Sequence, residues 1–157
     1  MEDYSYLKKH HKIVPWDRTQ VLINYHNSPY KLEQIEKGGC VDLYNHNEVE
    51  LKAGEWGMID FGVSMQLPKG YDALIFPRSS TFKKWGILLT NSVGYIDNSY
   101  RGNEDVWMAC VYATRDVKIP AGTRCFQFRL IKEQPKLNLE EVDNLEGEAR
   151  GSFGSTG

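Results

Sequence analysis

Asp97 is a carboxylate set at a turn just past an apolar strand. It follows the apolar pair Tyr95-Ile96, lies between Gly94 and Gly102, and has Tyr100 three residues on. A carboxylate with an ordinary pKa of about 3.9 is ionised at neutral pH, so it can accept a proton. Upstream, Pro77-Arg78-Ser79-Ser80 sets a cation before two hydroxyls. A guanidinium grips phosphate oxygens through two parallel hydrogen bonds, and neighbouring hydroxyls add neutral donors. The hydroxyl run precedes Phe82-Lys83-Lys84-Trp85-Gly86, which predicts a helical turn capped by a hydroxyl and closed by Gly86. Such a start presents unpaired N–H groups to an anion.

Asn91, just before the Gly94 turn, carries an amide that both donates and accepts, which suits the imide edge of a pyrimidine. Gly94 lets backbone approach a ligand closely. At the far end, Arg150 is followed by Gly151-Ser152-Phe153-Gly154-Ser155-Thr156-Gly157. Small residues can wrap successive N–H groups around an anion, and Phe153 can cover a flat ring. Taken singly, these segments read equally as a capped turn, a hairpin and a linker-like terminus. No Gly-x-x-x-x-Gly-Lys-Ser/Thr run occurs, so a P-loop is excluded. His10, His11, His26 and His46 show no metal-ligand spacing.

The elements that must hold these residues have a period of two. Ile59, Phe61, Val63, Met65 and Leu67 alternate with smaller or polar residues, which predicts one long strand with a single buried face. Val106, Met108, Cys110 and Tyr112 alternate in the same way, as do Phe126, Phe128 and Leu130. Shorter strands are expected at 21–24, 41–44, 73–76, 87–90 and 117–119, separated by Gly- and Pro-containing turns. Many short strands with almost no helix imply an all-β sandwich or barrel. Asp60 and Asp105 are expected at solvent or at an interface. Trp16, Trp56, Trp85 and Trp107 are expected in the core or at subunit contacts.

Composition bounds the rest. A chain of 157 residues forms one domain able to bury about two-thirds of its unfolded surface. Net charge −2 and a pI near 6.1 argue against a partner nucleic acid, which needs a basic face. No apolar run reaches the ~18 residues of a membrane span, and the start Met1-Glu2-Asp3-Tyr4 has no signal-peptide pattern. Cys40, Cys110 and Cys125 are odd in number and far apart, as for reduced thiols in a cytoplasm. Three regions are expected: an extension at 1–20, a β domain at 21–135, and a flexible acidic C-terminal arm at 136–157.

Joined in order, the motifs resemble those of the trimeric dUTP diphosphatases (dUTPases), of the phage and Gram-positive-like branch. Gly39-Cys40-Val41-Asp42-Leu43 is similar to the first motif of that family, and Pro77-Arg78-Ser79-Ser80 to the second. The stretch 91–102 matches the third, Gly122-Thr123-Arg124-Cys125-Phe126-Gln127 the fourth, and 150–157 the fifth. The tail is two residues shorter between Arg150 and Phe153 than the usual family pattern.

This resemblance implies a jelly-roll-like β fold and a homotrimer with shared active sites. It implies hydrolysis of dUTP to dUMP and pyrophosphate by water attack on the α-phosphorus, keeping uracil out of DNA and supplying dUMP for thymidylate synthesis. Asp97 would be the general base and would contact the 3′-hydroxyl. Asn91 and the backbone of Gly94, Tyr95 and Ile96 would read uracil, with Tyr100 beneath the deoxyribose. Arg78, Ser79, Ser80 and Gln127 from a second subunit would hold phosphates. Arg150, Phe153, Gly154 and Ser155 of a third would close as a lid. Mg²⁺ would be carried by the phosphates and water, with Asp42 reaching it at most through a water.

Two rivals follow from the same residues. A related dCTP deaminase needs a glutamate ten residues beyond Asp97, where this chain has Trp107. A nucleotide-responsive protein binding a regulatory protein partner could use residues 1–20, which match no family motif.

Overall fold

The β-branched and aromatic stretches fold as strands, with turns at the expected glycines. A computed structural model describes residues 18–149 and residue 151. In chain order these hold β1 (Leu22–Asn24), β2 (Val41–Leu43), β3 (Val49–Leu51), β4 (Trp56–Asp60), β5 (Ser64–Gln66) and β6 (Tyr71–Pro77). They continue with α1 (Thr81–Trp85), β7 (Ile87–Leu89), β8 (Gly94–Ile96), β9 (Met108–Ala113), β10 (Val117–Ile119) and β11 (Phe126–Lys132). All strand pairs are antiparallel. One sheet runs β2-β11-β6-β8 and another β4-β9-β7, with the pairs β1-β5 and β10-β3 beside them. The fold is all-β, as expected.

β11 is the spine that aligns the motif-bearing strands. Phe126 pairs with both Pro77 and Leu43, and Gln127 with both Phe76 and Asp42. On the other edge of β6, Ala73 faces Ile96 and Ile75 faces Gly94. Between the sheets, Trp107 is fully buried and meets Phe128 edge-on, with ring centroids 5.2 Å apart. Phe61 and Phe126 are tilted against each other at 5.9 Å. Such aromatic pairs add about 0.5–1.5 kcal/mol each beyond the area they bury.

Three expectations about local structure are corrected. The run from Ile59 to Leu67 is not one strand, because the chain bends at Gly62, whose φ is +63°. Asp60 Oδ1 accepts the Gly62 N–H at 2.5 Å, so this half-buried carboxylate ties the turn. A Cβ on Gly62 would lie 2.6 Å from His46 Nδ1, so only glycine fits there.

β9 shows the opposite face to the one expected. Ala109, Val111 and Ala113 are buried, while Met108 and Tyr112 point outward at 43% and 42% exposure. Both faces of this strand are apolar, so alternation alone does not choose between them. The small residues fit against the core, and the bulky ones join exposed Trp56, Met58 and Leu88 on the outer face of the β4-β9-β7 sheet.

In α1, Gly86 closes the helix in the left-handed conformation, but Ser80 makes no side-chain cap. The neighbouring hydroxyl takes the structural part: buried Thr81 donates Oγ1 to the Cys125 carbonyl at 2.5 Å. This leaves the Ser79 and Ser80 side chains exposed.

Candidate active site

Two groups of residues named from sequence are brought together, each by β6. At its C-terminal end, Arg78 follows Pro77, and its backbone N–H donates to the Cys125 carbonyl at 3.0 Å. The Arg78 guanidinium pairs through Nε with Asp42 Oδ1 at 3.0 Å. Arg124 takes the other oxygen, Nη1 to Oδ2 at 3.2 Å. Asp42 therefore holds two cations from two loops, and Arg78 is only about a third exposed. Gln127, beside Asp42 across β11, donates to the Pro77 carbonyl at 3.3 Å. Ser79 and Ser80 lie exposed on the adjoining turn. This end has cations, hydroxyls and an amide within one turn and two neighbouring strands, the donor set an oligophosphate needs.

The second group sits at the N-terminal end of β6. β8 lies close over it: a Cβ on Gly94 would be 3.1 Å from the Ile75 Cβ. Gly94 thus lets β8 pack closely on β6. The chain then turns at Asp97, whose Oδ1 accepts the Ser99 N–H at 2.8 Å and the Ser99 hydroxyl at 2.5 Å. These two bonds, the hydroxyl first, hold the Asp97 carboxyl below the usual carboxylate range. Oδ2 accepts no hydrogen bond among the described residues and stays available to a water. Tyr100 donates its hydroxyl to the Val106 carbonyl at 3.0 Å. Burial, with Asp105 nearby, pushes its phenol up, so the ring stays neutral. Asp105 itself accepts the Gly102 N–H at 2.7 Å, another turn-holding role.

Asn91 is exposed at the base of the 90–94 turn, where its carbonyl accepts the Val93 N–H at 2.6 Å and Ser92 takes φ +62°. Ile96 is half-buried against the core. Arg150, Phe153, Gly154 and Ser155 lie outside the described residues, as does Trp16.

Sequence reasoning missed Asp72, Asn98, Arg101 and Arg124 as parts of the site. A cleft of about 520 Å³ is lined by Asp72, Tyr95, Asp97, Asn98, Arg101 and Glu133, among others. Asp72 is buried at 3% exposure within an apolar strand, a signal that needs a structure to be read. Arg124 stood within a quoted motif, but only the fold shows it sharing a carboxylate with Arg78.

The chain as a whole is similar to known proteins. A family model described as dUTPase matches residues 27–157. That span contains both ends of β6 and every motif named above. The chain belongs to the dUTPase family. Over 146 residues it is 44% identical to the SPbeta prophage-derived deoxyuridine 5′-triphosphate nucleotidohydrolase YosS of Bacillus subtilis, covering 93% of this chain and 96% of that protein. It is 36% identical to the deoxyuridine 5′-triphosphate nucleotidohydrolase of Clostridium acetobutylicum, over 74% of this chain and 81% of the other. Among solved structures, a dUTPase of Staphylococcus bacteriophage 80alpha with dUpNHpp superposes with a TM-score of 0.72 at 19% identity, over 88% of this chain and 98% of that one. A dUTPase from phage phi11 of S. aureus, described with a structural Mg(II) ion, gives 0.69 at 16% identity, over 82% and 99%. These two likenesses concern the fold, which is that of the jelly-roll dUTPases.

Proposed function

We infer that the chain hydrolyses dUTP to dUMP and pyrophosphate, with Asp97 as the general base. The observation that carries the mechanism is the half-occupied Asp97 carboxylate: Ser99 fixes one oxygen and leaves the other for water. Water attacks the α-phosphorus, its proton passes to Asp97 Oδ2, and the bond from the α-phosphorus to the bridging oxygen breaks. Pyrophosphate leaves with that oxygen and its electron pair. Phosphoanhydride cleavage needs positioning and charge neutralisation more than covalent chemistry, which matches a site with one base and several donors. Asn91 and the backbone of Gly94, Tyr95 and Ile96 read uracil, and Tyr100 packs under the deoxyribose. Arg78, Ser79, Ser80 and Gln127 grip the phosphates, and Arg150, Phe153, Gly154 and Ser155 close over them.

The substrate is the Mg²⁺ complex of dUTP. Both oxygens of Asp42 are engaged by Arg78 and Arg124, so this carboxylate anchors arginines and does not ligate a cation directly. Mg²⁺ keeps several of its waters and rides on phosphates, so it needs few protein ligands. Bound with the phosphates, the ion would supply positive charge for the pyrophosphate leaving group.

The site is completed by other copies of the chain in a homotrimer. Arg78 and Asp97 lie beside opposite ends of β6, which supports a site divided between copies. A closed symmetric assembly brings the Arg78 end of one copy to the Asp97 end of another. The expected solution mass is about three times the 18.1 kDa chain. In the related deaminase reaction, the position of Trp107 would need a water-activating carboxylate. Here Trp107 is fully buried in the core, which favours hydrolysis of the phosphate chain.

The test is pyrophosphate release from dUTP, dCTP, dTTP and UTP, each with Mg²⁺. Turnover of dUTP alone supports the reading, whereas equal turnover of dCTP contradicts the uracil pocket. A site that hydrogen-bonds its base rejects unmatched analogues by about 10⁴–10⁵.

A further inference from the structure

Asp72 is the only acidic residue among the buried side chains of the described core, and the mechanism above gives it no part. It stands on β6 next to Ala73, on the strand face turned away from the core residues Ala73 and Ile75. A buried carboxylate is costly unless each oxygen is satisfied. Both oxygens here are satisfied by groups that flank Asp97. Oδ2 accepts the Tyr95 hydroxyl, two residues before the base. Oδ1 accepts the Asn98 N–H at 2.8 Å, one residue after it.

The Asn98 side chain extends the same tether. Its Nδ2 donates to the carbonyls of Pro68 at 2.9 Å and Tyr71 at 2.7 Å. Its Oδ1 accepts from Arg101 Nη1 at 3.0 Å. The turn carrying the base is thus bound on both sides to the start of β6. β8 itself contributes only a three-residue strand to that sheet. Hydrogen bonding to Asp72 pushes the Tyr95 phenol up to about 12, so it remains a donor at any pH where the enzyme works.

We propose that Asp72 is a positioning residue: it fixes the Asp97 carboxylate at the attacking water by clamping Tyr95 and Asn98 on either side of it. With both oxygens engaged by Tyr95 and Asn98, Asp72 acts through the base. This rests on Asp97 being the base, and displacement of a catalytic group by about 1 Å can cost on the order of 10²-fold in rate.

The experiment is a mutant cycle on the full-length enzyme with Mg·dUTP, measuring kcat, KM and thermal stability. Asp72→Asn keeps the shape but turns an NH₂ toward one of two donors. Tyr95→Phe removes a single hydroxyl from a half-exposed ring and leaves the core intact, so a folded variant is available in either case. The expected result is a fall in kcat of about 10–100-fold for Asp72→Asn and a smaller fall for Tyr95→Phe, with KM changed little. Each change is then made in the Asp97→Asn background. There it should cost nothing further, because residues acting through one group are non-additive. Losses that multiply in that background, or that appear in KM alone, would overturn the proposal. So would a Tyr95→Phe enzyme with unchanged kcat. If Asp97→Asn alone keeps full turnover, the base assignment fails instead, and the two failures are told apart by that single variant.

Discussion

Asp97 and Arg78 stand at opposite ends of one strand. Ile96 is the register partner of Ala73, so Asp97 lies beside Asp72, while Arg78 follows Pro77 at the other end. Six residues of strand separate these ends, about 20 Å at ~3.3 Å per residue. The Arg78 side chain also turns away from Asp97, toward Asp42 on β2, two strands across the sheet order β2-β11-β6-β8. This separation is what the proposed sharing of the site between copies would resolve.

Replacing Asp97 by Asn keeps size and hydrogen-bonding reach but removes the proton acceptor. Hydrolysis should fall by about 10²–10⁴ or more, the usual contribution of a general base. Calorimetric titration with a non-hydrolysable dUTP analogue should show binding retained, since Arg78, Asn91, Tyr100 and Gln127 are untouched. Lost binding with near-normal turnover would demote Asp97 to a ribose contact.

Ser99 should set the pH range over which Asp97 can serve as the proposed base. Its hydroxyl and N–H hold the Asp97 carboxyl below the ordinary value, so the base stays ionised to lower pH than a free aspartate. In Ser99→Ala the larger of these effects is gone and the pKa rises. The acid limb of the kcat/KM profile should then move to higher pH, with the neutral plateau little shifted. An unmoved limb would show that another group titrates there.

Arg78→Lys keeps the charge but loses the planar fork that binds Asp42 and phosphate together. Charge-assisted hydrogen bonds contribute about 1.5–3 kcal/mol, so kcat/KM for dUTP should drop by about 10–100-fold. Steady-state kinetics decides it: an unchanged kcat/KM would remove Arg78 from the phosphate site.

How much of this was legible in the residues depends on what each signal encodes. Turn chemistry was readable, because Gly86 and Gly122 sit where left-handed backbone is required, at φ +64° and +77°. The residues proposed for the site, Arg78, Gln127 and Asp97, stood out in the sequence because loops and strand ends carry such polar groups. Burial sense was not: β9 is apolar on both faces, and only packing selects Ala109 and Val111 for the core. Nor was the break at Gly62, since period two continues across it unchanged. Asp72 and Arg124 were invisible for a third reason. Their partners, Asn98 and Asp42, are 26 and 82 residues away, and local sequence does not encode such pairs.

Gly62→Ala should test the bend itself. Left-handed backbone and the clash with His46 together should cost about 1–3 kcal/mol, lowering Tm by roughly 2–4 °C per kcal/mol. A melting point equal to the native one would mean that the β4–β5 bend relaxes freely.

The most direct measurement pairs two inactive chains. Arg78→Ala and Asp97→Asn are each purified, unfolded together in equal amounts, refolded and assayed for pyrophosphate release from dUTP. Each site draws one residue from each of two randomly paired copies, so about a quarter of the native rate should return. A refolded mixture no more active than its two parents would contradict the shared site.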